Sequence, residues 1–353
     1  MTKVKGFAAQ AATKPLAPFN FERRGVLPND VKIDILYCGV CHSDLHMARN
    51  EWKGTIYPVV PGHEILGKLI EVGKDVKDFK VGDIAAVGCL VGSCGKCQGC
   101  KDNLEQYCEV GMVLTYNSHD KHDNSITYGG YSTQIVVDHK FVLHIPKEFK
   151  EKDLPGVAPL LCAGITTYSP LRHWKIGKGS RVGIVGLGGL GHMALKIAHA
   201  MGAYTVLFTT HPNKASDAKK MGADEVVFSK NEDEMKRHSH TLDFIIDTVA
   251  APHLLDHYLS LLKRDGTLCV VGLPEKHHPS TNVAELIMKR RQIAGSVIGG
   301  IKETQEMLDF CAKHGITSDV EIIPIQEINE AYERMLKSDV KYRFVIDIAS
   351  LRN

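Results

Sequence analysis

From about residue 180 onward the chain is built of continuous apolar runs, RVGIVG, TVLFTT, EVVFS, LDFIIDTV and GTLCVVGL, separated by stretches with helical spacing such as GHMALKIAHAMG and APHLLDHYLSLLK. Strands that are apolar along their whole length are buried on both faces, and strands alternating with helices form a parallel α/β sheet. At the first of these junctions, Gly186, Gly188 and Gly191 stand in RVGIVGLGGLGHMALKIAHAMGA, with Gly189 and Leu190 completing the turn. Between a strand and a helix this spacing predicts a dinucleotide site. The first glycine makes the tight turn, the second admits a pyrophosphate, and the third lets helix and strand approach.

Residues 1 to about 155 follow a different grammar. VKIDILYCGV, IYPVVPGHEILGKLIEVG, VGDIAAVG and GGYSTQIVVDHKFVLHIP are short runs with period-two patterning and Gly/Pro punctuation, which predicts an irregular, mostly antiparallel β domain. The tail offers two helices, TQEMLDFCAKHG and INEAYERMLKSD, and a strand, KYRFVIDI.

Within the first half, GCLVGSCGKCQGCKDNLEQYC places Cys94, Cys97, Cys100 and Cys108 where a folded-back loop presents four thiolates to one zinc. Four protein ligands close such a site to substrate, so its role is structural, and the Gly-Lys and Gln-Gly spacers favour a metal loop over disulfides. A second set lies outside the lobe: Cys41 in YCGVCHSDLHMARNEW, His63 and Glu64 in PGHEILG, and Cys162 in APLLCAGITTYSPLRH. Two thiolates and one imidazole leave a zinc coordination position open, which is the catalytic arrangement.

Composition narrows the partners. The 353 residues carry a net charge of +2 with acids and bases interspersed, so neither a nucleic-acid footprint nor a membrane-binding patch is expected and the partner is a small molecule. No stretch of eighteen uncharged apolar residues occurs, and ten cysteines fit a reducing compartment, so a cytoplasmic location is expected. Cys38, Cys89, Cys269 and Cys311 receive no role.

The strand TVLF is followed by Thr209, Thr210, His211, Pro212, Asn213 and Lys214, with no acid before Asp217. An NAD site usually places a carboxylate near this point for the ribose 2′-hydroxyl. Two hydroxyls, an imidazole and an ammonium suit a 2′-phosphate instead, so NADP(H) is expected.

CGVCHSDLH, PGHE, the four-cysteine lobe, PLLCAGITTYSPL, GLGGLGH, KETQEMLDFC and RFVID together resemble, in order and spacing, the zinc-dependent medium-chain alcohol dehydrogenases and, among them, the cinnamyl alcohol dehydrogenase group. The resemblance implies a GroES-like catalytic domain from residues 1–158 and 298–353 and a Rossmann domain from 159–297, and primary alcohols and their aldehydes as substrates. It implies catalytic zinc on Cys41, His63 and Cys162, with Glu64 as a nearby or alternating fourth ligand and Asp44 orienting His63. Ser43 and His46 become the proton relay, His42 lies near the cofactor pyrophosphate, and Thr166 lies beside the nicotinamide. Leu114 and Val297 stand where lignin-pathway members carry bulky aromatics, while Trp52 supplies one aromatic wall. A roomy pocket of that kind discriminates weakly and predicts broad aldehyde reduction. A homodimer is expected. The rival readings are an NAD-dependent polyol dehydrogenase of the same superfamily, which would carry an acid after TVLF, and a non-catalytic zinc-binding scaffold.

Overall fold

The computed structural model describes residues 1–352. The chain divides into two units, Met1–Cys162 with the segment from Gly299 onward, and Ala163–Ile298. The junctions therefore fall after Cys162 and Ile298 rather than after residues 158 and 297. Cys162 stays with the first unit because the short turn Ala158–Leu161, buried throughout, packs against the strand Asp30–Val40.

That strand is the axis of the first unit. Along it Val31, Ile33 and Ile35 are buried while Lys32 and Asp34 between them remain partly exposed, the alternation expected of a sheet with one face on a core. It pairs antiparallel with Ile65–Val72 on one side. On the other, its first half pairs with Gln134–Asp138 and its second half with Arg343–Asp347. The sheet continues to Ile84–Val87 and Leu143–His144 at one end and, in its one parallel pairing, to Val320–Pro324 at the other. Register decides what meets at the end of the axis. Cys38 pairs with Ile65, and Val40 pairs with Phe344. Hence Cys41 emerges beside His63 and Glu64 on one flank and beside Arg343 on the other.

The second unit is a six-stranded, wholly parallel sheet. In space its strands run Glu225–Phe228, Tyr204–Thr209, Arg181–Val185, Leu242–Asp247, Leu262–Val270, Gln292–Gly295. Numbered along the chain this is the order 3-2-1-4-5-6, the doubly wound arrangement that opens a crevice between the first and fourth strands. Val206, Phe208, Ile245 and Leu268 are buried in its core, each contributing about 1.5–3 kcal/mol. The helix expected over APHLLDHYLSLLK is shorter than its pattern, covering Asp256–Leu259 alone. Leu261 and Leu262 are buried, and Leu262 already pairs with Leu242 in the sheet, so tertiary pairing overrides helical spacing there.

The glycine turn is built as its spacing requires. Gly186 has φ of 87°, and a Cβ on Gly191 would lie 2.0 Å from the Gly186 carbonyl oxygen, whereas one on Gly188 would meet nothing within 4 Å. Gly191→Ala should therefore lower unfolding stability by about 1–3 kcal/mol, seen as a lower denaturant midpoint. Gly188→Ala should change it by less than about 0.5 kcal/mol. Equal stability of the two variants would contradict the close helix-to-turn packing.

Candidate active site and metal centres

The first half of the site is organised by the helix His42–Ala48, which starts immediately after Cys41. Its third residue, Asp44, is wholly buried and accepts four hydrogen bonds: from Cys41 N (2.9 Å), Gly62 N (3.1 Å), Tyr131 OH (3.1 Å) and His63 Nδ1 (3.0 Å). With Nδ1–H donated to a carboxylate, His63 presents Nε2 as a lone pair, the tautomer a metal requires.

Around that nitrogen the structure gathers Cys41, His63, Glu64 and Cys162, all buried, with one donor atom from each within 4.8 Å of the others. The two sulfurs are 3.8 Å apart, against about 3.8 Å for the edge of a tetrahedron with 2.3 Å zinc–sulfur bonds. The hydrogen bond from Cys162, with Arg343 and His63 nearby, holds the Cys41 thiol well below the usual range. Glu64 fills the space left by the missing side chain of Gly39, where a Cβ would lie 1.8 Å from Glu64 Oε2. Its Oε1 is paired with Arg343, and Oε2 is buried with no hydrogen-bond partner among the described residues. Burial pushes the Glu64 carboxyl up to about 7 although Arg343 opposes the shift. A buried set of two sulfurs, an imidazole and an orphaned carboxylate oxygen is what a divalent cation satisfies. The residues present therefore fit the zinc expected from the sequence.

Ser43 Oγ stands 3.6 Å from Cys41 Sγ, and His46 lies one turn further along the same helix. His46 Nδ1 is paired with Glu51, and its ring packs on Trp52 with centroids 4.8 Å apart. His42 is the exposed first residue of that helix. Leu114 lies in the strand Val113–Leu114, and Val297 follows the last strand of the second unit, so these two stand on elements other than those carrying the ligands. Tyr116 packs beside His63, with ring centroids 5.8 Å apart. Arg343, Glu51 and Tyr131 are functional neighbours that motif reading did not single out. An arginine opening the otherwise apolar strand RFVID was the available signal for the first.

In the lobe, sulfur separations of 3.9 Å (Cys94–Cys100), 3.5 Å (Cys97–Cys100) and 3.9 Å (Cys97–Cys108) again match a tetrahedral zinc edge and exclude disulfides, whose sulfurs are about 2.05 Å apart. Backbone amides already point at the sulfurs: Cys97 N to Cys94 Sγ at 3.3 Å, Cys94 N to Cys108 Sγ at 3.3 Å and Glu109 N to Cys97 Sγ at 3.4 Å. Such donors stabilise thiolates.

In the second unit the turn of Gly186, Gly188, Gly189 and Leu190 leads into the helix Gly191–Ala200, and Thr166 is buried on the helix Ala163–His173. Beyond the second strand, Thr209 Oγ1 accepts from His211 N at 3.1 Å, and Thr210 Oγ1 lies 2.9 Å from His211 Nδ1. Lys214 Nζ donates to the Leu187 carbonyl at 2.9 Å, so its ammonium reaches the glycine turn itself and keeps two further donors. Burial lowers its pKa.

Asp44→Asn should weaken zinc binding at the Cys41 set by about 10–100-fold while the four-cysteine zinc is retained. Dialysis against a mild chelator followed by metal counting would then leave one zinc per chain, and retention of two would contradict the role of Asp44. Cys162→Ser should abolish turnover in a folded protein, whereas Cys100→Ser should mainly lower stability. An interchange of those outcomes in paired activity and unfolding assays would reverse the two assignments.

Family comparisons agree with this geometry. Residues 27–147 match the alcohol dehydrogenase GroES-like domain, and residues 189–313 match the zinc-binding dehydrogenase domain. The chain is 59% identical over 349 residues, 99% of each chain, to aldehyde reductase YahK of Escherichia coli K12. It is 54% identical over 337 residues, 95% of this chain and 98% of the other, to a mannitol dehydrogenase of Petroselinum crispum. Among solved structures, a cinnamyl alcohol dehydrogenase from Sorghum bicolor superposes with a TM-score of 0.94 at 42% identity, covering 99% of this chain and 98% of that one. A CAD from Helicobacter pylori complexed with NADP(H) gives 0.92 at 46% identity, with 99% of both chains covered. The chain belongs to the zinc-binding alcohol dehydrogenase family, a GroES-like domain joined to a Rossmann-type domain, and is an oxidoreductase.

Proposed function

We propose that this enzyme reduces a broad range of aromatic and aliphatic aldehydes to primary alcohols with NADPH, reversibly, using a catalytic zinc on Cys41, His63 and Cys162 and a structural zinc on Cys94, Cys97, Cys100 and Cys108. The observation that carries the reading is the buried Cys41–His63–Cys162 set with a serine hydroxyl 3.6 Å from one of its sulfurs and an imidazole one turn away. When bound, zinc supplies Lewis acidity at the carbonyl oxygen and NADPH supplies the hydride. Ser43 donates a proton to the oxygen of the nascent alcohol, and His46, its ring oriented by Glu51 and shielded by Trp52, restores that proton from solvent. Asp44 keeps His63 in its ligating tautomer, and Arg343 offsets the charge of Glu64, whose free oxygen serves as the alternate ligand.

The 2′-phosphate of NADPH falls to Thr209, Thr210, His211 and Lys214, with His42 near the pyrophosphate and Thr166 beside the nicotinamide. The absence of a carboxylate before Asp217 supports this, as does the NADP(H) bound by the Helicobacter relative. The similarity to a mannitol dehydrogenase favours a second reading, oxidation of a polyol with NAD, and the cofactor loop argues against it. Trp52, Leu114 and Val297 shape a permissive substrate pocket.

A homodimer is the assembly we favour. Gln292–Gly295 is an edge strand with Ile293 38% exposed, and Ile287 and Met288 nearby are 72% and 77% exposed, an apolar margin that a second copy would cover. No helix among the described residues is long and apolar enough to cross a membrane. The assignment of six of the ten cysteines as zinc ligands supports a reducing, cytoplasmic setting.

NADPH should outperform NADH by about a hundredfold or more in kcat/KM for the same aldehyde, since several charge-assisted hydrogen bonds contribute about 1.5–3 kcal/mol each. Thr210→Asp should invert or erase that ratio, and equal efficiency in the wild type would refute the assignment of the loop. Ser43→Ala should lower kcat severely while NADPH affinity stays near its wild-type value, because the serine serves the proton and not the cofactor. His46→Ala should lose less. A Ser43→Ala enzyme at full rate across the pH range would show that the proton leaves by another route.

A further inference from the structure

A further constellation of side chains able to ligate a metal, Asp247 buried and two histidines half-buried, lies in the Rossmann-type unit, and none of the chemistry above uses it. Asp247 closes the fourth strand of the parallel sheet and is wholly buried; its Oδ1 accepts from Val249 N at 3.1 Å. His253 follows in the next segment, its Nδ1 lying 2.8 Å from the Ala251 carbonyl. His278 comes from the segment after the fifth strand, its Nδ1 3.3 Å from both the amide nitrogen and the carbonyl oxygen of His253. His278 Nδ1 either accepts from that amide, which leaves the ring proton on Nε2, or donates to that carbonyl, which leaves Nε2 as a lone pair; the second tautomer is the one a metal requires. Asp247 Oδ2 and His253 Nε2, which approach each other to 3.0 Å, and His278 Nε2 are all buried, with no other hydrogen-bond partner among the described residues. One donor atom from each of the three residues lies within 4.8 Å of the others.

The tautomers decide what this arrangement demands. A carbonyl only accepts, so His253 carries its proton on Nδ1 and directs the Nε2 lone pair at Asp247 Oδ2, 3.0 Å away. Two acceptors at that distance repel unless a proton or a cation stands between them. A proton, giving an Asp247–His253 ion pair, satisfies two of the three atoms and leaves His278 Nε2 buried and unused. A metal ion can take one ligand atom from each of the three residues, and 3.0 Å is close to the cis edge of an octahedron with bonds of about 2.1 Å.

We infer that Asp247, His253 and His278 form a third metal site, for Zn2+ or another late first-row divalent ion, with water completing the coordination. Two imidazoles and one carboxylate select such ions over Mg2+ and Ca2+. The site joins the segments after two adjacent parallel strands. These already touch closely, since a Cβ on Gly272 would lie 2.7 Å from the Val249 carbonyl carbon. Both segments sit at the carboxyl end of the sheet beside the 1–4 strand reversal, so occupancy would staple two loops on the dinucleotide-binding edge.

The test uses the purified holoenzyme with its resident zinc. Equilibrium dialysis against micromolar Zn2+, with metal counted per chain, should give one more equivalent in the wild type than in His278→Ala or His253→Ala, the variants being checked for folding by circular dichroism. Added Co2+ should give d–d absorption without a thiolate-to-cobalt charge-transfer band in the wild type and lose it in the variants. Amide exchange over residues 271–282 should slow with metal in the wild type alone. An equal metal count in wild type and both folded variants would overturn the site and leave the ion pair in its place. Because the comparison is the difference of one equivalent, it does not depend on whether the Cys41 and Cys94 sets are correctly assigned.

Discussion

One buried carboxylate holds the active site together. Asp44 has no exposure to water, and an ionised group so placed is tolerated only when donors replace its hydration. It draws them from four points of the chain: the amide of Cys41, the amide of Gly62, the ring of His63 and the hydroxyl of Tyr131. The first two lock the backbone on either side of the ligands, and the third sets the imidazole tautomer. The same contacts that make Asp44 tolerable in the core therefore make Cys41 and His63 competent to bind a cation.

Charge compensation extends outward from this point. Glu64 has Arg343 on one oxygen and none of the described groups on the other, so it retains one ligand atom while its burial is offset by a fixed guanidinium. Sheet register makes this possible, because Arg343 precedes the residue paired with Val40 and Glu64 precedes the residue paired with Cys38. A slip of one residue in either pairing would turn Arg343 or Glu64 to the opposite face and leave a charge buried alone. The four-cysteine lobe follows another logic. Its ligands fall within fifteen residues, its thiolates are served by local amides, and no distant strand is needed to bring them together.

In the parallel sheet, backbone geometry carries more of the chemistry than side chains do. Gly186 turns the chain through a conformation other residues resist, Gly191 lets the helix rest on the turn, and Gly188 leaves room above it. Lys214 reaches back to this turn from beyond the next strand, so the loop proposed to meet the ribose is tied to the turn proposed to receive the pyrophosphate. The Asp247, His253 and His278 constellation sits at the same edge of the sheet, on the fourth strand and on the segments after the fourth and fifth, where strand order reverses.

Much of this was legible in the residues themselves. The four-cysteine spacing, the glycine turn between strand and helix, and the missing acid after TVLF are local patterns, and local patterns survive because a few bonds fix their geometry. The run of buried parallel strands was likewise visible, since burial on both faces demands apolar residues at every position. What the sequence could not determine were partnerships set by tertiary packing: Arg343 with Glu64 across most of the chain, Asp247 with His278 from a separate loop, and Glu51 with a His46 that is buried rather than at the surface. The helix expected through Leu261 and Leu262 failed for the same reason, since pairing with Leu242 outweighs local helical spacing. Composition and periodicity determine which elements form and which short loops bind metal or phosphate. Only strand register and the closing of loops over the sheet decide which distant charges meet, because their energies depend on burial and distance, which no single stretch of chain defines.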